Sequence, residues 1–161
     1  MTIWPKRLCA KAKLLTMEHV FLDTNIIIRF LTGDDPDKAD ASAALFDRVA
    51  SNDILLYAPD TVIAECVHVL SSRRLYNKSR EAIRNSLSPL VALDGFKVAN
   101  RRALLRALDL YATYPIDFSD AFLKATMETE NATVIYSYDT DFDRFPEITR
   151  REPEPTDKQA A

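Results

Sequence analysis

Short apolar runs alternate along this chain with longer stretches of helical spacing. Val20, Phe21 and Leu22 form the first run and predict a buried strand that stops on Asp23. Residues 25–31 predict a short helix closing near Gly33, a natural C-terminal cap. Asp34, Asp35 and Pro36 open a helix predicted over 37–50, with Ala41, Ala44, Leu45 and Val49 at helical spacing. Residues 54–57 predict a second strand, and Pro59 starts a helix predicted to reach residue 74. Val62, Cys66, Val69 and Arg73 share one face of it, and the spacing puts Glu65 on the buried side. A helix over 79–93 carries Pro89 as a kink or break. A strand follows over 96–98, and Asn100 is placed to cap a helix reaching residue 111. Tyr114 and Pro115 turn the chain into a helix that Asp117 opens and that runs to 129. Phe118, Ala121, Phe122 and Ala125 form its inner stripe. Residues 133–136 predict the last clear strand, with Asp139, Thr140 and Asp141 in the loop beyond. Strands alternating with helices imply an α/β fold, with a parallel sheet covered on both faces.

A chain of 161 residues, 47% hydrophobic, suits one domain with a real core. Only two glycines occur, which excludes Gly-rich phosphate loops of the dinucleotide and P-loop kinds. The net charge of −3 means that any nucleic acid would be met by a local basic patch plus a metal, not by global charge. Cys9 and Cys66 make no disulfide framework, and Cys66 falls in an apolar pattern as a small hydrophobe. His19 and His68 are too few for a histidine-based zinc site. This cysteine usage fits a reducing cytoplasm. Residues 1–16 hold four basic side chains and no long apolar run, so they read as a disordered or non-native extension and not as a signal peptide or membrane span. Residues 150–161 read as a charged, Pro-rich, disordered tail.

The chemistry lies in acids at the ends of elements. A buried strand that stops on Asp23 sets that carboxylate at the mouth of a parallel sheet, where α/β proteins bind ligands. Glu65 on an apolar helix face is costly to ionise without compensation, either from a cation or from an arginine such as Arg73. Asp117 and Asp120 open one helix; Asp117 suits the cap, and Asp120 lies on the inner edge of the first turn. Asp139 again follows a strand, with Asp141 and Asp143 close behind in an acidic turn. Ser137 is placed to donate to a carboxylate or phosphate. Two carboxylates about 4 Å apart repel by about 4 kcal/mol at an effective dielectric of about 20, so converging acids call for a cation. An all-oxygen ligand set fits Mg²⁺ or Mn²⁺ rather than zinc or copper. Arg73, Arg74, Lys78 and Arg80 are candidates for tracking a nucleic-acid backbone.

The series Leu22-Asp23-Thr24-Asn25, Ala64-Glu65, Asp117-Phe118-Ser119-Asp120-Ala121 and Ser137-Tyr138-Asp139-Thr140-Asp141-Phe142 resembles the PIN-domain ribonucleases. It is most similar to the toxin half of bacterial VapBC toxin–antitoxin pairs. The resemblance spans about residues 20–148 and makes residues 17–149 the catalytic domain. It implies a three-layer α/β/α sandwich around a mostly parallel sheet. It also implies Mg²⁺- or Mn²⁺-dependent hydrolysis of RNA phosphodiesters by Asp23, Glu65, Asp120 and Asp139. Asp117 and Asp141 are secondary ligand candidates, while Asn25 and Ser137 would order the site. A homodimer and a cognate antitoxin that silences the active groove are implied partners. The resulting expectation is that Asp23, Asp120 and Asp139 hold metal and Glu65 holds metal or orients the attacking water.

Three other readings compete. A phosphohydrolase of the haloacid dehalogenase kind wants a second acid two residues after the nucleophile, where this chain has Asn25. A receiver-like phosphoacceptor domain wants an acid pair before its acceptor strand and a late lysine, and neither stands out. A PIN-like RNA-binding scaffold without activity is opposed by the retention of all four acids.

Overall fold

The computed structural model describes residues 18–153. The expectations for residues 1–16, and for all but the start of the 150–161 tail, lie outside them. Strand β1 (His19–Phe21) leads into helix α1 (Thr24–Thr32), helix α2 (Pro36–Ala50) and strand β2 (Leu55–Tyr57). Helices α3 (Asp60–Ser71) and α4 (Arg80–Ala92) then precede strand β3 (Phe96–Lys97). Helices α5 (Arg101–Thr113) and α6 (Phe118–Glu130) lead to strand β4 (Val134–Tyr136), a 3₁₀ turn (Thr140–Arg144) and strand β5 (Thr149–Arg151).

The α/β class and the parallel pairing are as the sequence predicts. β2 is central, with β1 and β3 parallel on either side, and Val20 opposes Leu56, which in turn opposes Phe96. A central parallel strand is covered on both faces, so Leu55 and Leu56 are both buried. Helices pack around this sheet: α1 against α2 and α3, α4 against α5 and β3, and α5 against α6. Ile63, Leu87, Leu104, Leu108 and Ala121 meet in one core with Leu56 and Phe96.

The sheet itself divides in two. β4 pairs with β5 in a separate parallel ribbon, and β1 and β4 each keep a free edge. Phe21 is 76% exposed at one edge and Tyr136 is 64% exposed at the other. The start of the expected disordered tail is ordered instead: Arg150 and Arg151 belong to β5. The Arg150 guanidinium donates to the Ser137 carbonyl at 2.9 Å and pairs with Asp143 and Glu152, both at 2.8 Å. Those partners let a strongly polar segment order without an apolar run.

Helix ends follow local chemistry. Gly33 closes α1 at φ +64°, the left-handed conformation that favours glycine. Asp35 caps α2 with Pro36 at its first position, and Ser79 caps α4. Three details differ from the sequence reading. α3 stops at Ser71, so Arg73 and Arg74 fall in the turn beyond it. α4 runs through Pro89 to Ala92, with a continuous apolar face of Ile83, Leu87, Leu90 and Val91 holding it. Asn100 makes no capping bond; its side-chain amide instead donates to Asp60 at 2.6 Å, tying the start of α5 to that of α3.

Candidate metal centre

Two local motifs bring three acids together. Asp117 caps α6 by accepting the Asp120 amide at 2.9 Å, which fixes Asp120 in the helix's first turn. Beyond β4, the Ser137 hydroxyl accepts the Asp139 amide at 3.0 Å, and the Asp139 carboxylate accepts the Asp141 amide at 2.8 Å. Asp139 thereby caps the 3₁₀ turn and Asp141 sits inside it. Asp120, Asp139 and Asp141 each offer a carboxylate oxygen, and these oxygens lie within 4.8 Å of one another. Burial, and then the charges of Asp117, Asp139 and Asp141, push the Asp120 carboxyl up to about 6. Arg144 partly neutralises the group: it donates to the Asp141 carbonyl at 2.8 Å and pairs with the Asp141 carboxylate.

Asp23 and Glu65 form a second, separate group. Asp23 caps α1, accepting the Thr24 amide at 2.8 Å and the Asn25 side-chain amide at 3.0 Å. Asn25 thus orients Asp23. Buried Thr24 donates its hydroxyl to Glu65 at 2.7 Å. Glu65 is exposed, where helical spacing predicted burial; the buried face of α3 is formed by Val62, Ile63, Cys66, Val67 and Leu70 instead. Burial pushes the Cys66 thiol up to about 12, and the nearby charges of Glu65 and Asp23 add to it. Asp23 and Glu65 are not among the three converging carboxylates. They travel with the β1–β2–β3 sheet, whereas Asp139 and Asp141 travel with the β4–β5 ribbon.

The remaining candidates separate cleanly. Asp117 serves as the α6 cap, and Asp143 is taken by Arg150. Arg80 is not the free backbone-tracking cation that the sequence suggested. Its guanidinium donates to the carbonyls of Tyr111, Tyr114 and Ile116 and lies 4.2 Å from the Tyr111 ring centroid, so it staples α4 to the end of α5. Arg73, Arg74 and Lys78 are exposed, and their side chains have no partner among the described residues. Two residues escaped the sequence reading. Thr24 was visible only as a small hydroxyl beside Asp23. Lys124 is buried in α6, where nothing in the local pattern sets it apart from a surface lysine.

Three carboxylates on hard oxygen atoms suit a divalent cation of the Mg²⁺ or Mn²⁺ kind, and a cation would relieve the repulsion that raises Asp120. Parallel strands and such a cluster define an α/β domain with a candidate divalent-metal site. The chain belongs to the PIN domain family, whose model matches residues 20–148. A chain in the crystal structure of VapBC2 from Rickettsia felis bound to a DNA fragment from their promoter is similar to it, at 16% identity and a TM-score of 0.36. That likeness covers 84% of this chain and 98% of the other. No curated protein matches the sequence. Among the described residues, no helix is long and apolar enough to cross a membrane.

Proposed function

We propose that this protein is a Mg²⁺- or Mn²⁺-dependent endoribonuclease, the toxin component of a type II toxin–antitoxin system acting in the cytoplasm. The observation that carries the reading is the convergence of Asp120, Asp139 and Asp141 in a chain of a family whose members are generally nucleases using divalent metals. The motif series set out above supports the toxin role, RNA as substrate, a homodimer and a cognate antitoxin.

In this reading Asp120, Asp139 and Asp141 hold the cation, and Asp23 and Glu65 complete the centre. Completion needs the free edge of β1 to meet that of β4, two parallel edges that both carry exposed aromatic residues. Pairing there would satisfy the outward backbone groups of both strands and cover Phe21 and Tyr136. A bound divalent cation supplies a Lewis acid and an acidified water. Thr24 holds Glu65 so that its carboxylate can orient the attacking water, and Asn25 keeps Asp23 aimed at the same place. Arg73, Arg74 and Lys78, exposed and without a partner among the described residues, contact the RNA phosphates.

Cleavage of labelled RNA with and without Mn²⁺ tests the proposal. The unaltered protein should cleave only with metal. Asp23→Asn and Asp139→Asn should each lose at least about a hundredfold, since a lost ligand forfeits several kcal/mol of charge stabilisation. Cleavage that both variants retain overturns the assignment. RNA binding without cleavage by the unaltered protein would make the chain a binding scaffold.

A further inference from the structure

Lys124 is the least expected charged residue in the molecule. Its side chain is 2% exposed, and Nζ bonds Glu128 at 2.6 Å and Glu147 at 2.7 Å, 5.2 Å from the Phe145 ring centroid. Burial pulls the ammonium down, but the two carboxylates outweigh it and hold the group above its ordinary value. Glu128 is anchored from the other side by Arg106 at 2.7 Å. Arg106, ahead of Lys124, holds the Glu128 carboxyl down to about 2. A chain of alternating charges therefore runs from α5 through α6 to the segment between the 3₁₀ turn and β5.

That segment directly follows the turn whose start carries two of the metal-site acids, Asp139 and Asp141. Asp120 and Lys124 stand one turn apart on the same face of α6. Asp120 meets Asp139 and Asp141 before and within the 3₁₀ turn, and Lys124 meets Glu147 just after it. One contact is repulsive and the other attractive. The carboxylates crowd each other and tend to push the turn off α6, whereas the buried lysine pulls the same turn back.

We infer that Lys124, through Glu147, is a positioning residue that holds the 3₁₀ turn against α6 and so keeps Asp139 and Asp141 within metal-binding reach of Asp120. The inference rests on the proposed metal-dependent reading of that cluster. Lys124 touches none of the reacting atoms; it sets how much of the site exists before metal arrives. Its removal costs metal affinity and leaves turnover at saturating metal intact.

Calorimetric titration with Mn²⁺ tests this on the unaltered protein, Glu147→Gln, Lys124→Met and Asp120→Asn, with thermal melts to establish folding. Glu147 is exposed, so Glu147→Gln folds even if Lys124→Met does not and decides the matter alone. Mn²⁺ affinity should fall roughly tenfold in both support variants, the loss typical of residues that orient metal ligands. RNA cleavage at saturating Mn²⁺ should stay within about twofold, a split that general destabilisation would not give. Support variants that melt earlier yet bind Mn²⁺ as the unaltered protein does overturn the inference and leave the metal reading standing. An unaltered protein that binds Mn²⁺ no better than Asp120→Asn overturns both.

Discussion

At the residue scale, Asp120 is the most informative group, because its environment works against its charge. Its carboxyl stands at about 6, against 3.8 for an ordinary aspartate, through burial and the charges of Asp117, Asp139 and Asp141. An acid raised on folding keeps its proton in the native state where the unfolded chain has lost it. Its favourable contribution is therefore complete below about pH 4 and is lost as pH climbs through about 6. Metal-free Asp120→Asn should be more stable than the unaltered protein at pH 7 and gain nothing at pH 4, as urea midpoints at the two pH values would show. Mn²⁺ competes with the same proton, so its affinity for the unaltered protein should rise up to about pH 6 and then level off. A gain in stability that does not change with pH would mean that Asp120 is not crowded by its neighbours. Asp139, one of the three converging carboxylates, was legible because it follows the last clear strand. The Thr24–Glu65 bond spans 41 residues, and no local pattern marks it.

At the element scale, periodicity located the helices well because each buries one apolar face. It erred where long-range partners decide. α3 was extended past Ser71, and β5 was read as disordered because its order comes from the Arg150 pairs and not from apolar side chains. Lys124 went unremarked, since Glu147 returns to it only through the fold of the 3₁₀ segment. Gly95 leads into β3 and shows how closely elements approach. A Cβ there would meet the Val49 carbonyl oxygen at 2.5 Å, and backbone at that site cannot swing aside as a side chain would. Gly95→Ala should destabilise the protein by about 1–3 kcal/mol, the usual cost of overpacking, read as a lowered denaturant midpoint with unchanged slope. An unaffected midpoint would mean that the end of α2 and the β3 entry move apart freely.

At the scale of the whole molecule, the arrangement of the two sheets decides whether three acids or five share one centre. β1 uses its inner edge for β2: the Leu22 amide donates to Tyr57 at 2.9 Å, so the Phe21 amide, one residue earlier, points to the free edge. β4 does likewise, with the Ser137 amide donating to Arg151 at 3.0 Å and the Tyr136 amide on the other side. Exposed parallel edges with aromatic side chains are unfavourable to leave open, and the carboxylates on either side repel unless a cation lies between them. Metal binding and edge pairing should therefore stabilise each other, as linked equilibria must. Hydrogen exchange reads this out directly. With saturating Mn²⁺ the amides of Phe21 and Tyr136 should slow by at least about tenfold, a bias of about 1.4 kcal/mol toward the paired state. In Asp139→Asn, which weakens the cation site but leaves both strands unchanged, the two amides should exchange alike with and without Mn²⁺. If instead these amides stay fast in the metal-loaded protein while Ile63 in α3 and Leu104 in α5 remain protected, the edges do not meet. Asp23 and Glu65 would then lie outside the metal centre that Asp120, Asp139 and Asp141 form.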